Sequence, residues 1–213
     1  MAKHPVPGQV KTRLARVLGP DRACELYRAF ILDLADRLRR LPYRVTWAYT
    51  PATAPFSRLV RGVRCRPQRG RDLGARMAHA IAGEVTSRRD PVLVIGADAP
   101  HVPAASLAEA TTMLRRSADV VVGPAADGGY YLIGLRTPAP SLFRRIPWGT
   151  DAVLGATLER AGASGLGVHL LPRSFDVDEA DDLARLRSLL VRGDVQLPRT
   201  ALLLAGRRAP SRA

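Results

Sequence analysis

Carboxylates and ammonium groups bind metal–phosphate assemblies, and this chain places both at informative positions. Only two of its 33 basic residues are lysines, Lys3 and Lys11, and both lie near the N-terminus. Arginine supplies the positive charge everywhere else. A compact ammonium suits a tight phosphate pocket where a guanidinium fork does not fit. Lys11, in Pro5-Val6-Pro7-Gly8-Gln9-Val10-Lys11-Thr12-Arg13-Leu14, is therefore the first candidate. In that segment Pro7 stiffens the loop, Gly8 lets the backbone approach a ligand, a short helix offers N–H donors, and Lys11 and Arg13 add charge. The same residues describe an ordinary proline turn with surface cations, and spacing alone leaves both readings open.

A second candidate is Asp98 in Gly96-Ala97-Asp98-Ala99-Pro100, directly after the apolar run Val92-Leu93-Val94-Ile95. That run reads as a strand buried on both faces of a parallel sheet. Ligands in open α/β sheets sit outside the carboxyl ends of strands, so Asp98 is placed to hold a cation, or else to start the turn before Pro100. The acidic run Phe175-Asp176-Val177-Asp178-Glu179-Ala180-Asp181-Asp182 stands out in a basic chain. If its start is extended, Asp176 and Asp178 project to one side and, with Asp98, would make a Mg²⁺ or Mn²⁺ site bridging phosphate oxygens. Glu179, Asp181 and Asp182 are assigned instead to a first helical turn, where negative charge complements the helix dipole.

Two glycine-bearing segments add weaker signals. Asp127-Gly128-Gly129-Tyr130 is either a hairpin connection or a flexible, aromatic-edged floor for a substrate. Gln68-Arg69-Gly70-Arg71-Asp72-Leu73-Gly74 enters a helix and either holds a base or phosphate or simply caps that helix. His4, His79, His101 and His169 lack metal-ligand spacing and a nucleophile partner, and read as surface or satisfied residues. Cys24 and Cys65 support neither a zinc site nor a disulfide framework.

The elements that must position these residues alternate between helix and strand. Apolar residues recur at helical spacing from Asp21 to Leu41, with Asp21 as the cap. Strands are predicted over 44–49, 92–95, 119–122, 130–135 and 168–171, and further helices over 72–85, 104–115, 151–161 and 179–191. Such alternation predicts an α/β fold with an open sheet. The length, 213 residues with 46% hydrophobic, suits one domain over 1–206, with 207–213 as a disordered tail.

The formal net charge of +14 invites a nucleic-acid reading. Yet the arginines are spread along the chain, without a helix-turn-helix or an aromatic strand platform, so a solvated basic surface is expected and no specific nucleic acid. No apolar run approaches the ~20 residues that a membrane span requires. No secretory signal is visible either, and the expected location is cytoplasmic.

Taken in order, P-V-P-G-Q-V-K-T-R-L, L-G-A-R-M, I-G-A-D-A-P, V-G-P-A-A-D-G-G-Y-Y-L-I-G-L, P-W-G-T and F-D-V-D-E-A-D-D-L resemble the small bacterial GT-A-type transferases. These are described as radical-SAM/selenodomain-associated transferases or arsenosugar-biosynthesis glycosyltransferases. The resemblance covers nearly the whole chain. It implies a three-layer nucleotide-diphospho-sugar transferase-like fold with a mainly parallel mixed sheet, and a metal-dependent site taking Mg²⁺ or Mn²⁺. By matching motif, Pro7, Gly8, Lys11 and Arg13 would contact donor phosphates, and Gln68, Leu73 and Gly74 would line the base. Asp98, Asp176 and Asp178 would serve the metal. Asp127, as the acceptor-side base, would face the transferred group with Gly128, Gly129 and Tyr130, and Trp148 to Thr150 would face a small-molecule acceptor.

The resemblance departs in two places. Pro100 stands where a glycosyltransferase Asp-x-Asp would have its second aspartate. The apolar strand that relatives carry before the loop is missing or reduced to a stub at Met1-Ala2-Lys3, as a late-assigned translation start would produce. The same superfamily holds 2-phospho-L-lactate guanylyltransferases and molybdenum-cofactor nucleotidyltransferases, so sugar transfer and nucleotidyl transfer are both expected readings.

Overall fold

The computed structural model describes residues 1–85 and 90–206, so the expected tail at 207–213 lies outside the described residues. They form two compact units. The first comprises Met1–Pro67, Ala97–His101 and the described part of Val177–Ala213, and the second Gln68–Gly96 and Val102–Asp176. Among the described residues no helix is long and apolar enough to cross a membrane.

The first unit is built on a three-stranded sheet of β1 (Ala2–Lys3), β2 (Thr46–Thr50) and β3 (Arg64–Pro67), all parallel. β1 is two residues long and pairs Ala2 with Tyr49 and Lys3 with Thr50. A short helix α1 (Thr12–Leu18) leads into the long α2 (Pro20–Arg39), and α3 (Phe56–Leu59) lies between β2 and β3. The helical period of α2 is borne out: Leu26, Tyr27, Phe30, Ile31 and Leu34 are all buried. Each large apolar side chain sealed this way contributes about 1.5–3 kcal/mol. Asp21 is not the cap, however. Gly19 precedes the helix, Pro20 takes its first position, where a missing N–H costs nothing, and Asp21 falls in the first turn.

The last two helices of this unit are α7 (Ala180–Arg192) and α8 (Pro198–Leu204), which follow the second unit in the chain. α8 starts on an acid of α2. Asp33, 1% exposed, accepts from the Arg199 N–H at 3.2 Å, the Thr200 N–H at 2.9 Å and the Thr200 hydroxyl at 2.8 Å. One carboxylate thus satisfies donors that the helix itself leaves unpaired.

In the second unit, α4 (Leu73–Glu84), β4 (Val92–Ile95), α5 (Ala104–Arg116), β5 (Val120–Pro124), β6 (Tyr130–Leu135), a 3₁₀ turn (Pro140–Phe143), α6 (Val153–Ala163) and β7 (Val168–Leu170) follow in order. The four-stranded sheet has the order β4-β6-β5-β7. β5 and β7 are parallel, while β6 runs antiparallel to β4 and β5 because the tight 125–129 connection returns the chain directly. β4 was expected to be buried on both faces of a parallel sheet. Instead it ends the strand order, pairs antiparallel with β6, and all four of its residues are only half-buried.

Candidate active site

Lys11 is the centre of the charged site in the first unit. Its side chain is 2% exposed, and its Nζ makes an ion pair with Asp98 Oδ1 and another, at 2.7 Å, with Asp178 Oδ1. The rings of Tyr27 and Phe30 lie 5.4 and 6.0 Å from the same nitrogen, so the ammonium rests on an aromatic floor. Burial disfavours its charge, but the two carboxylates outweigh that and hold its pKa above the usual lysine range. Lys11 is therefore held as a cation between the two carboxylates. Tyr27 stays protonated, since burial and then the Asp98 charge push its phenol well above the ordinary range.

The local structure explains how three distant segments meet. Val6-Pro7-Gly8-Gln9 makes a turn closed by Gln9 N–H to Val6 C=O at 3.0 Å, with Gly8 at φ 73°. Proline followed by a positive-φ glycine is the combination a type II turn requires. Lys3 donates to the Gln9 carbonyl at 2.8 Å and pins the loop, so the two lysines do different work. Lys11 itself sits left-handed at φ 48°, ψ 45°, a conformation that costs a side-chain-bearing residue about 1 kcal/mol or more. The ion pairs offset it. Asp98 enters from the segment after β4, where Ala97 N–H donates to Met1 C=O at 3.0 Å and Asp98 C=O accepts from Val177 N–H at 2.9 Å. Asp178 precedes α7, and Asp182 Oδ2 accepts from the N–H groups of Asp178 at 3.1 Å and Glu179 at 3.0 Å. Of the acids assigned to helix initiation, Glu179 and Asp182 form a capping box while Asp181 lies in the first turn, and Asp182 also holds the Asp178 N–H. Arg13 stands outside this cluster, 60% exposed and 3.4 Å from Glu179.

A second group of expected residues gathers in the second unit. Asp127 Oδ1 accepts from the Gly129 N–H at 2.9 Å, which folds the glycine turn. Gly128, at φ 87°, lies directly against Asp151: a Cβ there would stand 2.2 Å from the Asp151 carbonyl oxygen. Tyr130 meets Trp148 edge-on, with ring centroids 6.4 Å apart. Gly74 is packed so closely that a Cβ would stand 2.7 Å from Trp148 and 2.6 Å from the Phe143 carbonyl oxygen. The helix-entry segment and the aromatic segment, read separately from the sequence, are thus neighbours. Thr150 donates to the Pro147 carbonyl at 2.8 Å and closes the turn that presents Trp148. Leu73 is exposed, and Asp72 rather than any ligand explains the start of α4, accepting from Ala75 N–H at 2.7 Å. Gln68 precedes that turn.

Residues 32–150, more than half of the chain, match the family model described as "Uncharacterized protein conserved in bacteria (DUF2064)". The chain belongs to the DUF2064 family. Its structure is similar to a crystal structure from Desulfovibrio desulfuricans G20 described as a candidate nucleotide-diphospho-sugar transferase. The TM-score is 0.84 at 36% identity, over 96% of this chain and 91% of that one. A curated relative, 2-phospho-L-lactate guanylyltransferase of Haloarcula marismortui, is 28% identical over 188 residues, 85% of this chain and 82% of its own length. This DUF2064 protein therefore has the nucleotide-diphospho-sugar transferase-like fold and is a transferase, of a nucleotidyl or a sugar group.

The donor set of this DUF2064 chain can be compared with what a divalent cation needs. Mg²⁺ is commonly bound through one or two carboxylates, with water and substrate phosphates completing its shell. Asp98 and Asp178 supply two carboxylates whose oxygens converge on one cationic atom, and their side chains remain 42% and 40% exposed. That set fits. A protein-only cage does not form: among the described residues no three His, Cys, Asp or Glu side chains cluster tightly enough to hold a metal. Asp176, expected as the third ligand, belongs to the second unit.

Sequence reasoning missed Tyr27 and Phe30, which looked like any other core residues of an amphipathic helix. Their spacing of three, putting both on one face, was the available signal. His101, read from the sequence as a surface or satisfied residue, is 6% exposed. Burial, then the charges of Arg37 and Arg185 against the opposing pull of Asp182, lower its pKa to about 4.

Proposed function

We propose that this protein transfers a sugar from a nucleoside diphosphate donor to a small-molecule acceptor, with a divalent cation at Asp98 and Asp178. The observation that carries the reading is the convergence of Lys11, Asp98 and Asp178 on one point from three separated segments. Positive charge stabilises a departing diphosphate, and two accessible carboxylates beside Lys11 could hold the metal that adds to it. A cation held there, Mg²⁺ or Mn²⁺, would neutralise phosphate charge as the donor bond breaks.

The chain's own residues take the remaining roles. Lys11 stays protonated and places charge beside the phosphates, and the turn at Pro7 and Gly8 fixes its approach. Arg13, exposed and weakly paired, adds a second cation at the loop. Gln68, Leu73 and Gly74 are assigned to the base. Asp127 has its Oδ1 occupied by the Gly129 N–H, which leaves Oδ2 to orient the acceptor hydroxyl or take its proton. Gly128, Gly129, Tyr130, Trp148 and Thr150 are assigned to the transferred group and acceptor.

Nucleotidyl transfer is the second reading. The guanylyltransferase relative favours it over 85% of the chain, as does Pro100 at the place of a second aspartate. Here an acceptor would attack the α-phosphorus of a nucleoside triphosphate and pyrophosphate would leave. Incubation with Mn²⁺ and either UDP-glucose, GTP or CTP, alongside pooled small phosphorylated and hydroxylated acceptors, separates the two. Release of nucleoside diphosphate supports sugar transfer; release of pyrophosphate overturns it in favour of nucleotidyl transfer.

A further inference from the structure

We infer that Lys11 is a tethered cation that occupies the metal position between Asp98 and Asp178 and must be displaced when a divalent ion enters. The inference rests on the metal-dependent reading of this site and adds a conformational exchange to it. The Nζ contacts Oδ1 of Asp98 and lies 2.7 Å from Oδ1 of Asp178, the oxygens a bridging cation would use. An ammonium and a divalent ion cannot both sit on those two oxygens, because they would stand at contact distance, repel one another and compete for the same two negative charges.

Two features suit Lys11 to the exchange. Its Nζ lies 5.4 and 6.0 Å from the ring centroids of Tyr27 and Phe30, which offer the ammonium a π face but no competing carboxylate. Its left-handed backbone at the head of α1 puts it on a loop held by the Lys3–Gln9 contact rather than inside a regular element. The resting site is thus neutralised in part by the protein itself. Metal entry then moves that charge toward the ligand instead of adding to it.

The test uses Mn²⁺ alone and the intact chain. Free Mn²⁺ is followed by electron paramagnetic resonance during titration of wild type and Lys11→Met, a variant that keeps the stem and removes the competing charge. The variant is expected to bind Mn²⁺ about tenfold tighter, the scale of one competing charge at a partly exposed site. Equal or weaker binding by the folded variant overturns the exchange. A second measurement needs no variant. Lys3 and Lys11 are the only lysines, so amine acetylation followed by peptide mass spectrometry reads Lys11 against exposed Lys3. Lys11 is expected to be protected without Mn²⁺ and labelled with it. Retained Mn²⁺ with Lys11 still protected overturns the exchange while leaving the transferase reading intact. Failure of both proteins to retain Mn²⁺ overturns the metal-dependent reading itself.

Discussion

The two units assemble their candidate residues by opposite means. In the first, opposite charges from positions 11, 98 and 178 meet on an aromatic floor, and the ion pairs hold a left-handed lysine. In the second, glycines let backbone and rings approach at distances no side chain tolerates, and the polar atoms mostly close turns. The difference predicts how each fails. Isosteric charge removal should cripple the first with its fold intact, whereas adding a single methyl group should unfold the second.

Gly128→Ala has the largest expected effect on stability. Its Cβ would meet the Asp151 backbone at 2.2 Å in a φ of 87°, so urea denaturation should show a loss of about 3 kcal/mol or more. A loss below about 1 kcal/mol would mean that this turn tolerates side chains and that the contrast between units is wrong.

His101, in the first unit, should give a pH signature of its own. Its pKa falls to about 4 in the folded chain, against about 6.5 when unfolded. Above pH 6.5 both states are neutral and it has no effect. As pH falls from 6.5 toward 4 the unfolded chain takes up the proton first, removing roughly 2–3 kcal/mol of stability. His101→Gln should flatten that part of the profile, as read from urea midpoints at successive pH values. An unchanged slope would show that another group titrates there.

Asp182→Ala is the smaller, sharper test. Losing the capping box should cost about 1 kcal/mol of stability. Because the same carboxylate holds the Asp178 N–H, the variant should also weaken Mn²⁺ binding, while Asp181→Ala should not. Identical metal affinities in the two variants would reduce Asp182 to a helix cap.

Much of this was legible in the sequence, for reasons that differ by residue. Lys11 was visible because arginine fills nearly every other basic position, and Asp98 because an acid after an apolar run marks the end of a strand. Alternation picked out Asp178, which pairs with Lys11 beside Asp98. β3 was missed because its exposed arginines, Arg64 and Arg66, disguise an edge strand as loop. α8 was missed because it is short and depends on Asp33, an acid on the buried face of α2 that no local pattern connects to it. Helix and strand periodicity reports burial, not which buried group faces a functional ammonium. That is why Tyr27 and Phe30 passed unnoticed.

Donor turnover by wild type, Asp98→Asn and Asp178→Asn, measured with Mn²⁺ under identical conditions alongside each protein's unfolding midpoint, tests the central claim most directly. If these carboxylates and Lys11 form the transfer site, each variant should keep its fold and lose on the order of 10²–10³ in turnover, the scale of one electrostatic contact made in the transition state. Wild-type turnover in both folded variants would contradict it.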